Sequence, residues 1–327
     1  MSTMIIQLKI SDIKMPFFDD RFIDIIDNIS LLSLFRHDVL PPHIRSDILS
    51  KIHNVSLIIS HCDHPLTWVS NFTSGFENIT NKVWIFTKCG KEVIDAPQNA
   101  EIFELPNVGR CDHTYAYWMS NYFYKNYSNP LDSPYEIFVF MKDTDYMFDT
   151  KKSLGRKFED IIALAVTNGL GCMMTDIAPW NLHKYSILRK YELGARYKRA
   201  EGEDLGEPVS FHNDKLENLG KWVDQLQLYP TASTQDIVSV CYGGVWAATG
   251  SQIAEQPKKV WEAIEESLSR GDNIAEGHYA ERMWAALLSK PLSNKSATAV
   301  WEANPTVHEI PTHLVGTLTP PGIIRPT

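Results

Sequence analysis

Apolar positions along the chain fall into two kinds of run. Near the N-terminus, "FFDDRFIDIIDNISLLSLF" has apolar residues at helical spacing and runs into the breaker "LPPHI". Two short β-branched runs follow, "NVSLIISHCDHP" (Asn54–Pro65) and "NKVWIFTKCGK" (Asn81–Lys91), each stopping at polar residues. Between them "LTWVSNFTSGFENI" reads as a helix or a loop crossover. Strand, crossover, strand at this spacing predicts a parallel sheet. A turn over 106–109 then opens a segment whose Tyr115, Trp118 and Tyr122 or Phe123 share one helical face. The next strand, in "YEIFVFMKDTDYMF" (Tyr135–Phe148), ends on Asp143 and Asp145. Residues 150–190 read as helix and loop, and "YKRAEGEDLGEP" (Tyr197–Pro208) as a surface loop. "DIVSVCYGGVWAATGSQI" contains a further β run that meets the pair Gly243–Gly244. Two helices close the pattern: the amphipathic "PKKVWEAIEESLSRG", stopped by Gly271, and "AEGHYAERMWAALLSK".

This alternation predicts an α/β fold with a mainly parallel central sheet flanked by helices. A helical appendage is expected over 1–50, the main domain over 51–290, and an irregular Pro-rich tail over 291–327. With 327 residues, 44% of them hydrophobic, the chain can bury one large core or two modest ones. The formal charge of −9 argues against nucleic-acid binding, which needs a basic face to neutralise phosphates. The five cysteines are odd in number and lack C-x-x-C spacing, so reduced thiols in a cytoplasmic protein are expected. "MSTMIIQLKISDIKM" lacks the form of a secretory signal. No window approaches roughly 18 uninterrupted apolar residues, so no transmembrane segment is expected. On that basis the N-x-S/T triplets at Asn54, Asn71 and Asn78 read as chance.

Residues i and i+2 of a strand project to one side, so Asp143 and Asp145 can present two carboxylates to the crevice at a sheet's carboxyl edge. Held close, they repel unless a cation compensates. Mn²⁺ or Mg²⁺ suits such oxygen ligands and keeps positions free for phosphate oxygens. A solvated loop after the strand is the plainer alternative.

The order of these pieces resembles the nucleotide-binding half of a GT-A glycosyltransferase. More narrowly, "LPNVGRCDHTYAYWMSNY" with "FVFMKDTD", "GGVWAATGSQI" and "AERMW" resembles an uncharacterised domain-of-unknown-function family thought to be glycosyltransferase-like. Cys111 and Asp112 stand where that pattern has an acidic residue and a glycine. The resemblance implies a metal-dependent transfer of sugar from a nucleoside-diphosphate sugar to a hydroxyl acceptor such as a glycan. Asp143 and Asp145 would hold the metal. His61, Asp63 and His64 would face the base and ribose. Asn107, Gly109, Arg110, His113 and Lys88 would lie near the diphosphate, with Gly109 admitting close backbone approach and Arg110 offering a bidentate fork. Gly243 and Gly244 would leave room for a sugar ring beside Trp246. Glu281, or else Glu276 or His278, would serve as general base. Alternatives are a nucleotidyltransferase, which would usually show a Gly-rich basic loop after the first strand, and a non-catalytic carbohydrate- or partner-binding module.

Overall fold

"NVSLIISH" forms strand β1 (Asn54–His61), buried on both faces except at its first residue. A strand without a solvated face must lie inside a sheet with layers on either side. That is its place in a computed structural model that describes residues 42–73, 80–126, 136–144, 157–174, 182–193, 216–228 and 237–290. Parallel to β1 run β2 (Thr80–Thr87) on one side and β4 (Glu136–Lys142) on the other, with β3 (Ala100–Glu104) outside β2. Beyond β4 lies β8 (Tyr242–Thr249), antiparallel to it, and then β5 (Leu170–Met174), antiparallel to β8. The six-stranded order is therefore β3-β2-β1-β4-β8-β5. A separate two-stranded ribbon pairs β6 (Leu182–Lys184) with β7 (Ile237–Ser239).

Strand parity divides the core in two. Leu57, Ile59, Val83, Ile85, Val139 and Met141 face one layer. That layer includes α1 (Pro42–Ser50), α2 (Thr67–Thr73) and α4 (Phe158–Asn168). Ile58, Trp84, Phe86, Phe138, Phe140 and Trp246 face the other. On that side lie α3 (Arg110–Trp118), α6 (Leu219–Gln225), α8 (Lys258–Leu268) and α9 (Ala275–Leu288), with short helices α5 (Tyr185–Leu188) and α7 (Gly250–Ala254). The aromatic stripe after the 106–109 turn is buried here as expected: Tyr115, Trp118 and Phe123 are inaccessible. The apolar moment of α8 is likewise satisfied by Val260, Trp261, Ile264 and Leu268.

Of the proposed appendage, 1–41 lies outside the described residues, as does the tail over 291–327. The Pro-containing break is followed at once by α1, since proline is tolerated in a first helical turn. Arg45 of α1 ion-pairs with buried Asp160 of α4 at 2.7 Å. Among the described residues no helix is long and apolar enough to cross a membrane.

The cysteines correct the expectation. Cys62 is bonded to Cys89 and Cys172 to Cys241, leaving Cys111 as a buried thiol. Sequence spacing hid the pairs because both are made by sheet neighbours far apart in the chain, 27 and 69 residues respectively. Disulfides belong to oxidising compartments, so the cytoplasmic expectation loses the support it drew from reduced thiols.

Candidate functional site

β1 and β4 are neighbours, but the chain builds away from them in opposite directions, through β2 and β3 on one side and toward β8 on the other. Where strand order reverses, the loops diverge and leave a crevice outside the carboxyl ends of the strands. Asp143, the residue after β4, reaches across this one. Its Oδ2 accepts from the backbone N–H groups of Cys62, Asp63 and His64 at 2.7, 3.0 and 3.1 Å. Its carbonyl accepts from Trp68 Nε1 at 3.0 Å. These amides supply the hydrogen bonds that a buried carboxylate needs. They also fix the loop so that Asp63 and His64 emerge beside Asp143. His64 Nδ1 lies 2.8 Å from Asp63 Oδ1 and 3.7 Å from Asp143 Oδ2. One ligand atom from each of the three residues falls within 4.8 Å of the others. Two carboxylates and an imidazole fit a divalent cation. Asp145 lies outside the described residues, so the cluster seen here joins Asp143 to the loop after β1.

The "LPNVGR" turn enters α3 through two consecutive left-handed residues, Gly109 (φ 57°) and Arg110 (φ 54°). Gly109 N–H donates to the Gly271 carbonyl at 2.6 Å. A Cβ at 109 would stand 2.6 Å from the Leu268 carbonyl oxygen, so close approach as well as φ requires glycine. Lys88, just past β2, is buried and donates Nζ to the carbonyls of Val108 and Arg110. Burial lowers its pKa to about 8, against the attraction of Cys111, Asp272 and Asp112. Lys88 thus clamps the turn, and the expectation that it offsets a ligand's phosphate charge is corrected: its ammonium faces protein carbonyls. Asn107 is exposed at the tip. His113 is buried beside Tyr117, with no hydrogen-bond partner for Nδ1. Burial, then Lys88, lowers its pKa to about 3. Asp112 accepts from Trp284 Nε1 at 2.7 Å and ties α3 to α9. Burial, then Glu281, raises its pKa despite Arg110 and that hydrogen bond.

On the opposite face of β4 from Asp143, Lys142 continues the parity of Phe138 and Phe140 toward α3 and α9. Glu281 of α9 accepts the Gly243 N–H at 3.0 Å through Oε1, and its Oε2 lies 3.3 Å from an Arg282 NH group. Burial alone would raise the Glu281 pKa, but Arg282, Arg110, Lys142 and His278 together lower it. Gly243 and Gly244 are both left-handed, at φ 84° and 72°. A Cβ at Gly244 would stand 2.7 Å from Lys142 Cε and 2.9 Å from Cys111 Sγ. Tyr115 donates to the Gly244 carbonyl at 2.6 Å. The space expected for a sugar ring is therefore filled by a lysine stem and a thiol. Trp246 is also corrected: it is fully buried, stacked on Phe140 with centroids 4.0 Å apart, and presents no face to a ligand.

No protein-family model matches the chain, and no curated protein or solved structure is significantly similar to it. Function rests on the site's own chemistry.

The structure brings Asp63, His64 and Asp143 together at the crevice, and Gly109, Arg110, Gly243, Gly244 and Glu281 together across the sheet from them. Lys88, His113 and His278 border the second group, through the Arg110 carbonyl, the Gly109 carbonyl and the Glu281 and Arg110 charges respectively, whereas His61 and Glu276 join neither. His61 is buried, its Nδ1 3.4 Å from Thr87 Oγ1. Both Glu276 oxygens are engaged by Arg270, at 3.0 and 2.7 Å. His278 is buried, its carbonyl accepting from Arg282, and burial with Arg110 and Arg282 lowers its pKa to about 3. Lys142 is the residue that sequence reasoning passed over. Its signal was parity: a lysine closing an otherwise apolar face of a central strand.

Proposed function

We propose that the chain is a metal-dependent glycosyltransferase with a GT-A-like layout, taking a nucleoside-diphosphate sugar into the crevice between the carboxyl ends of β1 and β4. The observation that carries it is the Asp63–His64–Asp143 cluster at the point where strand order reverses, the place where open α/β sheets gather their ligands. Asp63, His64 and Asp143 would hold a divalent ion, which would supply charge neutralisation for a leaving diphosphate. The chain's part is to prearrange the ligands: Asp143 is oriented by three amides, and Asp63 and His64 are presented half-exposed from a loop braced by the Cys62–Cys89 bond. The acceptor is a hydroxyl of a glycan or another molecule.

Within this reading Glu281 suits the role of general base poorly. Three neighbouring cations keep it ionised and reduce its basicity, and one oxygen is committed to the Gly243 amide. Glu281 instead holds the Gly243–Gly244 turn against α9.

Thermal-shift measurements with UDP-, GDP- and CMP-sugars, with and without Mn²⁺, provide the test. One donor is expected to raise Tm only when Mn²⁺ is present. Asp63→Ala is expected to abolish that rise while leaving the ligand-free Tm close to wild type, because the Asp63 side chain is largely exposed. A flat panel sinks the transferase and leaves a binding module on the same scaffold.

A further inference from the structure

β4 ends by sending two charged side chains to opposite faces, Asp143 to the loop after β1 and Lys142 to the layer of α3 and α9. Arg110, at the start of α3, lies close enough for its charge to act on Lys142. Both stems pass close to glycines: a Cβ at Gly277 would stand 3.7 Å from Arg110 Cδ, and one at Gly244 would collide with Lys142 Cε. Both residues are half-buried. Yet among the described residues neither head group has a hydrogen-bond partner or an ion-pair partner within 4 Å.

The nearby carboxyl groups do not discharge them directly. Glu281 divides its oxygens between the Gly243 amide and Arg282. Asp112 is committed to Trp284, and Asp272 acts on Lys88 and Arg110 only at a distance. Among the described residues the acidic groups that act on Lys88, Arg110 and Lys142 are Glu281, Asp112, Asp272 and the Cys111 thiol; burial pushes Cys111 up to about 11 and Asp112 toward its neutral form. Partly desolvated cations with unused donors are costly unless an anion completes them. Arg110 also takes up a left-handed backbone conformation, rare for a residue other than glycine. The positive end of the α3 dipole lies at the same point.

We propose that Arg110 and Lys142 form a phosphoryl-binding site, distinct from the Asp63–His64–Asp143 cluster and on the opposite face of β4. A planar guanidinium fork beside a lysine point charge suits phosphate oxygens. This site requires no metal and stands whether or not the chain transfers sugar. The phosphoryl group belongs either to a donor diphosphate reaching past the end of β4 or to a phosphorylated acceptor.

Isothermal titration of the full chain in EDTA at fixed ionic strength, with inorganic phosphate and with glucose 6-phosphate, tests the site. Saturable binding is expected. Lys142→Met, which keeps the stem against Gly244, and Arg110→Gln are each expected to weaken it about tenfold or more, the loss of one charge-assisted contact. Lys258→Met, on the exposed face of α8 where Lys258 pairs with Glu262, serves as the charge control and is expected to leave binding unchanged. Absence of saturable heat from wild type, or equal weakening by Lys258→Met, overturns the site whatever the folding of the other variants. Competition then identifies the source. UDP with Mn²⁺ displaces phosphate if the group comes from the donor, and both bind together if it comes from the acceptor. Mn²⁺-dependent donor stabilisation is read separately, so either reading can fail alone.

Discussion

At the scale of single residues, the turn before α3 concentrates the constraints. Gly109 has a left-handed φ and no room for a methyl group against the Leu268 carbonyl. Gly109→Ala must therefore shift both the turn and α8. It is expected to cost about 2–4 kcal/mol, read as a lower urea midpoint with an unchanged slope. An unaltered midpoint would show that the turn can relax. The buried histidines set an acid limit. His113 and His278 each have a pKa of about 3 when folded, against 6.5 ordinarily. Between these values the unfolded state binds more protons, so stability is full above pH 6.5 and falls as pH falls through the window. Each histidine is expected to remove about 2 kcal/mol by pH 5. His113→Phe should reduce the loss of unfolding free energy between pH 7 and pH 5, read as urea midpoint times slope, by about that amount. Parallel pH profiles for variant and wild type would exclude the mechanism.

At the scale of elements, the carboxyl ends of β1 and β2 are joined by Cys62–Cys89, and the same loop carries Asp63 and His64. Closing a loop of 27 residues restricts the unfolded chain. Cys62→Ser with Cys89→Ser is expected to lose about 3–4 kcal/mol by chain entropy. Because the loop is also tied to Asp143 through three amides, the double variant is expected to bind Mn²⁺ more weakly than wild type at a temperature where both are folded. Calorimetric titration with Mn²⁺ alone reads this, and equal affinities would show that Asp143 suffices to shape the loop. The elements themselves were legible beforehand where their side chains bear one clear demand. The β-branched runs became β1 and β2, the acidic strand became β4, and the two C-terminal helices fall close to their expected places. The antiparallel insertion of β8 between β4 and β5 was not legible. A strand buried on both faces shows the same apolar run in either direction.

At the scale of the whole molecule, the sheet separates two chemistries that the sequence puts side by side. "KD" at 142–143 reads as one polar stop, but strand parity sends lysine and aspartate to different layers and different partners. The same separation explains the candidates that were misplaced. Trp246 and Gly244 look like ligand-facing residues in a linear text, and both are consumed by packing around Phe140, Lys142 and Cys111. Glu276 and Lys88 carry charges suited to a site and are spent on Arg270 and on turn carbonyls.

Sequence alone determined the alternation of strands and helices, the mainly parallel sheet, the helix start at Arg110 and the carboxylate that ends the central strand at Asp143. Each follows from local periodicity, backbone preference or the rarity of a charge at the end of an apolar strand. Only tertiary structure decided which cysteines meet, which carboxylates are already paired, and which cations have no direct ion pair among the described residues. Those outcomes depend on contacts between segments tens to more than a hundred residues apart, and no local pattern encodes them.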